Sequence, residues 1–138
     1  MKSALPLLIA IALLSSKATA QSTCAAAVDI GPGIHTVSTL VGTAPPAYCI
    51  GAAPAAPAAA WYKYTPVQDT VVNITTRVPG YPDVDTRFHV YSGSCGSLVC
   101  VGGDDDSGPN YTSVTTLSVQ GGVAVSYTHL TLPTKRIV

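Results

Sequence analysis

The chain has 138 residues, 47% of them hydrophobic and only 10% charged, with 12 Gly, 11 Pro and no Glu. This composition excludes a disordered chain and a coiled coil, and the length allows one small domain. Between positions 21 and 124, three basic residues stand against seven Asp, which leaves a net charge of about −4. A basic surface is therefore not expected, and we predict no nucleic-acid partner.

The first 20 residues have the pattern of a secretory signal peptide. Lys2 supplies the charged region, an apolar run covers 4–14, and small residues at 18–20 supply the cleavage site. The apolar run is shorter than the ~20 residues that a membrane-spanning helix needs. We therefore predict a mature protein that begins at Gln21, is secreted or held at the cell surface, and has no membrane span after cleavage.

The final residues carry a different signature. The run VSYTHLTLPT at 125–134 resembles the translation of a transposase mosaic end followed by its sequencing adapter. Residues 125–138 are therefore predicted to be a non-native tail derived from adapter DNA. The domain at 21–124 would then be incomplete, with its natural continuation lost beyond Ala124. A genuine terminal strand is the alternative.

Four cysteines follow the cleavage site, at Cys24, Cys49, Cys95 and Cys100. An even number in an oxidising compartment predicts two structural disulfides and leaves no free thiol for catalysis. Cys95 and Cys100 flank a short Gly-containing segment suited to a hairpin end, so we favour a bond between these two and a second between Cys24 and Cys49. A zinc site is disfavoured because no C-x-x-C spacing is present.

From Ile34 onward the chain consists of short β-type runs separated by Gly, Pro, Asn and Asp, without sustained helical periodicity. This pattern predicts an all-β fold, an antiparallel β-sandwich of jelly-roll type. The strands are expected at 35–41, 61–65, 70–78, 86–91, 98–101 and 113–119. The Ala/Pro tract at 52–60 is predicted to be a surface loop, because its prolines disfavour a helix.

Three motifs carry a family resemblance: W-Y-x-Y at 61–64, D-T-x-x-x-V-Y-S-G-S-C-G at 85–96, and L-x-C-x-x-x-D-D at 98–105. In this order they resemble the repeated jelly-roll modules of exported Bacteroidetes-type proteins, which are similar to bacterial pre-peptidase C-terminal domains. The resemblance covers about 24–124. It implies a non-catalytic module of a larger secreted or surface protein, beside peptidases or adhesion repeats, and a type IX secretion route. The aromatic-rich strand pair that follows the Gly-containing turn in that family is missing here.

Five carboxylates form a candidate metal site: Asp83, Asp85, Asp104, Asp105 and Asp106. Two precede the strand at 86–91 and three follow the strand at 98–101, so a hairpin of these strands would bring both sets to its open end. Such a group suits Ca²⁺, which takes about six to eight oxygen ligands in irregular geometry. The spacing does not match an EF-hand loop, and a solvated acidic turn is the alternative.

The aromatic run at Trp61, Tyr62 and Tyr64 is a candidate platform for sugar stacking. In a strand the two tyrosines share one face and Trp61 lies on the other, so core packing is the alternative for one set. No catalytic site is expected, because G-x-S-x-G is absent and the aspartates lie among Gly and Ser rather than in an apolar pocket. His35 and His89 are interpreted as strand residues.

These patterns together predict a non-catalytic binding or spacer module of adhesion type, at the N-terminus of a larger secreted or cell-surface protein and stabilised by calcium. Its expected partners are an extracellular polysaccharide or protein and the downstream domains of the same chain. Two alternatives stay open. The first alternative is an accessory domain of a secreted peptidase or glycosidase. The second is a free-standing carbohydrate-binding module.

Overall fold

The computed structural model describes residues 21–37, 40–51 and 58–131, and within them the regular structure is almost entirely β. The strands are β1 Val28–Asp29, β2 Gly42–Thr43, β3 Ala58–Tyr64, β4 Thr70–Thr75, β5 Thr86–Ser92, β6 Val99–Asp104, β7 Val114–Val119 and β8 Val125–Thr131. Single 3₁₀ turns lie at Cys24–Ala26 and Pro109–Tyr111. The prediction of an all-β fold is confirmed. In this part of the chain no helix is long and apolar enough to cross a bilayer.

Two sheets form a sandwich. The large sheet has the order β1-β3-β8-β5-β6, with β2 also paired to β3, and all its pairs are antiparallel except β1 with β3. The small sheet is the antiparallel pair of β4 and β7. Since successive side chains of a strand point to opposite faces, β4 turns Val72 and Ile74 toward the large sheet and leaves Val71 exposed.

The large sheet has a core on each face. The face beneath β4 and β7, the strand-covered face, buries Phe88, Val90, Val119 and Val125 with five partly buried neighbours. The opposite face, the coil-covered face, buries Ala59, Trp61 and Tyr91 beneath residues of two coil segments that include Ala27 and Tyr48. The Trp61 ring stacks on Tyr91 at 6.1 Å, and its indole N–H donates to the Thr43 carbonyl at 2.9 Å. Both faces of the sheet are therefore shielded from water, one by strands and one by coil.

The disulfide pairing differs from the predicted one. Cys24 bonds Cys95 and Cys49 bonds Cys100, with Cα separations of 5.6 and 5.4 Å. The favoured pairing within the hairpin was wrong because Cys100 lies in β6, opposite Tyr91 in the ladder, while both hairpin cysteines face the coil segments above them. Each segment of the coil-covered face is thus fastened to the β5–β6 hairpin by one covalent bond.

Two predictions on the N-terminal half are corrected. No strand forms at 35–37 or 40–41, and 38–39 lie outside the described residues. The short strand in this region is β2, which pairs with β3 at Gly42–Thr43. The prediction of a surface loop at 52–60 is wrong for its last three residues, because Ala58 begins β3 and Ala59 and Ala60 are each 1% exposed; residues 52–57 lie outside the described part of the chain. A Cβ on Gly42 would lie 2.3 Å from the Ala59 carbonyl oxygen, so the two backbones approach too closely for a larger residue at Gly42.

The segment that resembles translated adapter DNA provides strand β8. Val125–Thr131 pairs antiparallel with β3 on one side and with β5 on the other, and Thr128 is fully buried. Backbone ladder bonds do not depend on the identity of the side chains, so a segment with compatible alternation can occupy this position whatever its origin. The adapter origin therefore stays a prediction. The predicted signal peptide at 1–20 and the residues 132–138 lie outside the described part of the chain.

Candidate functional site

The acidic turn is built at the open end of the β5–β6 hairpin. The two strands pair antiparallel from Phe88 opposite Asp104 to Ser92 opposite Val99, with an irregularity in register after Val90. This register places the residue that precedes β5 beside the residues that follow β6. As a result, one carboxylate oxygen each from Asp85, Asp105 and Asp106 lies within 4.8 Å of the others, and we call these three residues the acidic cluster.

The other two predicted ligands are used within the protein. The Asp104 carboxylate accepts hydrogen bonds from the Ser107 amide at 3.1 Å, the Ser107 hydroxyl at 2.6 Å and the Val114 amide at 2.7 Å. Burial alone would raise the pKa of Asp104, but these hydrogen bonds hold it below its usual value. The carboxylate closes the turn after β6 rather than joining the acidic cluster.

Asp83 likewise lies outside the acidic cluster. Its carboxylate accepts a hydrogen bond from the Asn110 side-chain amide at 2.8 Å and lies 3.5 Å from the guanidinium of Arg77. Asn110 has a left-handed backbone with φ of 54°, a conformation that Asn tolerates better than most residues. Asp83 therefore links the segment before β5 to the turn at Pro109–Tyr111.

The charge of the acidic cluster is partly balanced by Arg87. Its guanidinium contacts the Asp105 carboxylate at 2.5 Å, and both side chains are largely shielded, with 11% and 27% of their surface exposed. Burial, followed by the negative charges of Asp106 and Asp105, raises the pKa of Asp85. The pKa of Asp106 is raised as well, by burial and by the negative charge of Asp105. Mutual repulsion therefore persists in the cluster despite the arginine.

Two oxygens of the acidic cluster fit a bound cation. Oδ1 of Asp85 and Oδ1 of Asp105 are buried and have no hydrogen-bond partner among the described residues. A buried carboxylate oxygen without a partner is costly, whereas a metal ion would satisfy it. Calcium–oxygen distances of about 2.3–2.6 Å place two ligands of one ion up to roughly 5 Å apart, so the spacing of the cluster agrees with a shared ion.

A buried network of hydroxyl groups positions the cluster. The Ser113 hydroxyl donates to the Asp105 carbonyl at 2.6 Å, and the hydroxyls of Thr76 and Thr86 lie 2.6 Å apart. Thr86 and Ser113 are almost completely buried, and Thr86 directly follows Asp85 in the chain. The sequence contained no signal for this network, because Ser and Thr are common in strands and only the crossing of the two sheets brings these three together.

The aromatic run does not form an exposed platform. Trp61 is 1% exposed in the core of the coil-covered face, and Tyr62 is 3% exposed on the opposite face, where its ring lies 5.7 Å from that of Tyr127. The structure therefore places both residues in the packing role that was the alternative. Tyr64 is half-buried and, with Tyr62, lines an apolar groove of about 820 Å³ between β4 and the segment at 30–37.

Comparison of the chain with known protein families, curated proteins and solved structures finds no match. The class of protein is therefore defined by the fold and the site alone. It is an all-β sandwich with two disulfides, a coil-covered face, and an acidic cluster at the open end of one hairpin. The resemblance to pre-peptidase C-terminal domains stays a prediction.

Proposed function

We propose that this chain is a non-catalytic extracellular binding or spacer module that a divalent cation stabilises, with calcium the favoured ion. The observation that carries the cation site is the convergence of Asp85, Asp105 and Asp106 together with two buried, unpartnered carboxylate oxygens. The two disulfides support an extracellular location, because such bonds persist in oxidising compartments and are rare in the cytosol.

The charges of the site favour a divalent ion. Arg87 neutralises one of the three carboxylates through its contact with Asp105, so a formal charge of about −2 is left for a ligand. Hard oxygen donors favour Ca²⁺ or Mg²⁺ over transition metals. Calcium is preferred here because it accepts irregular geometry, whereas Mg²⁺ demands a nearly ideal octahedron.

A cation at the acidic cluster would cross-link two segments that no disulfide joins. Asp85 leads into β5, while Asp105 and Asp106 belong to the turn that follows β6. Binding would remove the repulsion among the three carboxylates and lock the open end of the hairpin, as the disulfides lock the coil segments. We therefore assign the cation a structural role, in a module whose rigidity serves binding or spacing.

Thermal unfolding of the full chain with calcium and with EDTA tests this proposal. We expect calcium to raise the melting temperature, and saturation at 100 times the Kd corresponds to about 2.7 kcal/mol of added stability. Asp85→Asn should lose this response, because it removes one charge of the acidic cluster. Asp29→Asn is the matched control, since Asp29 is exposed and pairs with Lys63 in β3, outside the cluster.

Two results would contradict the cation site: a melting temperature that does not change with calcium, or an equal response in the wild type and in Asp85→Asn. Magnesium at the same concentration provides the comparison of ions. A smaller rise with magnesium is expected from its stricter geometry.

The groove beside β4 supports a second candidate, a carbohydrate-binding module. Tyr64 is half-buried and contributes to its wall, and an aromatic ring with a polar tip is suited to sugar contacts. Affinity electrophoresis in polysaccharide gels tests it. Retardation that Tyr64→Ala abolishes would favour this candidate, and unretarded migration in every gel would favour a spacer.

A further inference from the structure

The coil segment at 47–49 is held on the coil-covered face mainly by two side chains of β5. His89 Nδ1 accepts the Cys49 amide N–H at 3.2 Å, and the Tyr91 hydroxyl donates to the Ala47 carbonyl at 2.5 Å. The Tyr48 ring lies edge-on to the His89 ring, with centroids 5.1 Å apart and planes at 88°. These contacts, and not a β-ladder, keep the segment against the sheet.

The segment also has a covalent tether. Cys49 is bonded to Cys100 of β6, so the segment remains attached to the hairpin even when its polar contacts are lost. The disulfide and the two hydrogen bonds therefore have different consequences. The disulfide limits how far the segment can move, whereas the hydrogen bonds, together with the packing of Tyr48 and Cys49 on the core, hold it on the sheet.

The protonation state of His89 follows from its hydrogen bond. Because Nδ1 accepts an N–H group, the neutral ring carries its hydrogen on Nε2. The side chain is completely buried, and Nε2 has no hydrogen-bond partner among the described residues. Neutral His89 is thus an acceptor toward the coil segment.

Among the described residues, four titratable groups surround His89. Arg87 and Tyr91 lie on its own strand, Tyr48 comes from the coil segment, and Asp105 follows β6. Burial, with a contribution from the positive charge of Arg87, lowers the pKa of His89 to about 4, and only Asp105 acts in the opposite direction. Asp105 is paired with Arg87, so its negative charge is largely neutralised and does little to stabilise an imidazolium ion at His89.

We propose that His89 is an acid-sensitive latch, whose protonation at Nδ1 releases the 47–49 segment from the sheet while the Cys49–Cys100 disulfide keeps it tethered. A proton taken from solvent converts Nδ1 from acceptor to donor, so that two N–H groups then face each other across the former bond. Opening hydrates the imidazolium and uncovers the aromatic core of the coil-covered face. Return to neutral pH reverses the step, since no covalent bond is formed or broken.

The direction of the pH dependence follows from linkage. His89 has a pKa of about 4 when the latch is closed, against 6.5 for the hydrated ring. Its contribution to the closed state is therefore fully present above pH 6.5 and is lost as the pH falls toward 4. Opening is coupled to the uptake of one proton.

Trp61 fluorescence and hydrogen exchange of the 47–49 segment, followed in the full chain from neutral pH to pH ~3.5, test the latch. The protein is first freed of metal with EDTA at neutral pH and exchanged into metal-free buffers, so that cation binding at the acidic cluster makes no contribution. We expect a reversible red shift of the Trp61 emission and a loss of hydrogen-exchange protection at 47–49, both with a midpoint between pH 4 and pH 6.5. The far-ultraviolet circular dichroism should be retained over the same range. Exchange rates are corrected for their intrinsic dependence on pH.

Matched variants separate His89 from the aspartates that titrate in the same range. His89→Gln keeps a side-chain acceptor that does not titrate and should abolish the transition. His35→Gln is the control, because His35 is exposed and lies on the segment at 30–37, away from the 47–49 segment. The transition of this variant should match that of the wild type. The latch is overturned if wild-type protection persists to the acid limit, if circular dichroism is lost together with protection, or if His89→Gln gives the wild-type curve. Should His89→Gln fail to fold, the wild-type exchange data alone decide between local opening and no opening.

Discussion

Gly102 lies at a close contact between the two sheets. A Cβ at this position would lie 2.6 Å from one terminal methyl carbon of Leu117 and 3.3 Å from the other. Leu117 belongs to β7 and packs on the core of the strand-covered face, so a larger residue in β6 would require the Leu117 side chain to shift. Glycine is favoured here for its size and not for its backbone angles.

We expect Gly102→Ala to lower the free energy of unfolding by about 1–3 kcal/mol, the usual cost of adding a methyl group to a packed core. Urea denaturation measures the change. Gly96→Ala is the control, because a Cβ there would meet no atom within 4 Å and its φ is not positive. A loss no larger than that of Gly96→Ala would show that Leu117 adapts without cost.

Asp104 has a role distinct from that of the acidic cluster, and its pKa provides a test. Its carboxylate caps two backbone amides and one hydroxyl, which lowers its pKa from the ordinary value of 3.8 despite burial. A depressed pKa means that this stabilisation is present above pH 3.8 and is lost as the pH falls through the lowered value.

Asp104→Ala should therefore cost about 1–3 kcal/mol at neutral pH, since it leaves the amides of Ser107 and Val114 without their acceptor. The loss should be the same in EDTA and should diminish under strongly acidic conditions. Urea denaturation at neutral and acidic pH measures it. If the loss is seen only with calcium present, Asp104 belongs to the cation site after all.

At the scale of the elements, the disulfides attach coil to sheet. The loops they close span 71 and 51 residues of sequence, and each bond is expected to stabilise the fold by about 4 kcal/mol through restriction of the unfolded chain. Without them the coil segments would be held on this face by hydrogen bonds, among them those of His89 and Tyr91, and by apolar packing.

Peptide mapping under non-reducing conditions checks the pairing. Trypsin cleaves at Lys63 and Arg87, so Cys24 and Cys49 fall in one peptide and Cys95 and Cys100 in another. The observed bonds must join these two peptides, whereas the pairing favoured from the sequence would leave them separate. Chymotrypsin, which cleaves after Tyr48 and Leu98, then separates all four cysteines and assigns each bond.

Strand β8 lies at the centre of the large sheet, and its origin can be tested in nucleic acid. We expect resequencing of the source DNA across the codons for 121–134 to replace the mosaic-end sequence with different codons from Val125 onward. A strand between β3 and β5 needs only apolar side chains of suitable size at alternate positions. In β8 these are Val125 and Tyr127, which face the strand-covered core. Recovery of the same codons would show instead that β8 is genuine.

At the scale of the whole molecule, the structural features that could be predicted from the sequence are those encoded within a few neighbouring residues. Alternation and turn residues indicated an all-β chain and placed strands close to Thr70–Thr75, Thr86–Ser92 and Val114–Val119. The acidic residues were recognised as a group because they flank two strands of one hairpin, and the antiparallel register of β5 and β6 agrees with that reasoning.

Other features depended on distances between segments far apart in sequence. Whether Asp104 binds an ion or caps a turn depends on where the Val114 amide lies, and Trp61 is buried because coil segments tied by disulfides cover its face. The sequence by itself determined the fold class and indicated two disulfides, because periodicity is local and cysteines can be counted. Only the tertiary structure decided the disulfide pairs, the three converging carboxylates and the contact of His89 with Cys49, because each depends on how the two sheets and the coil pack together.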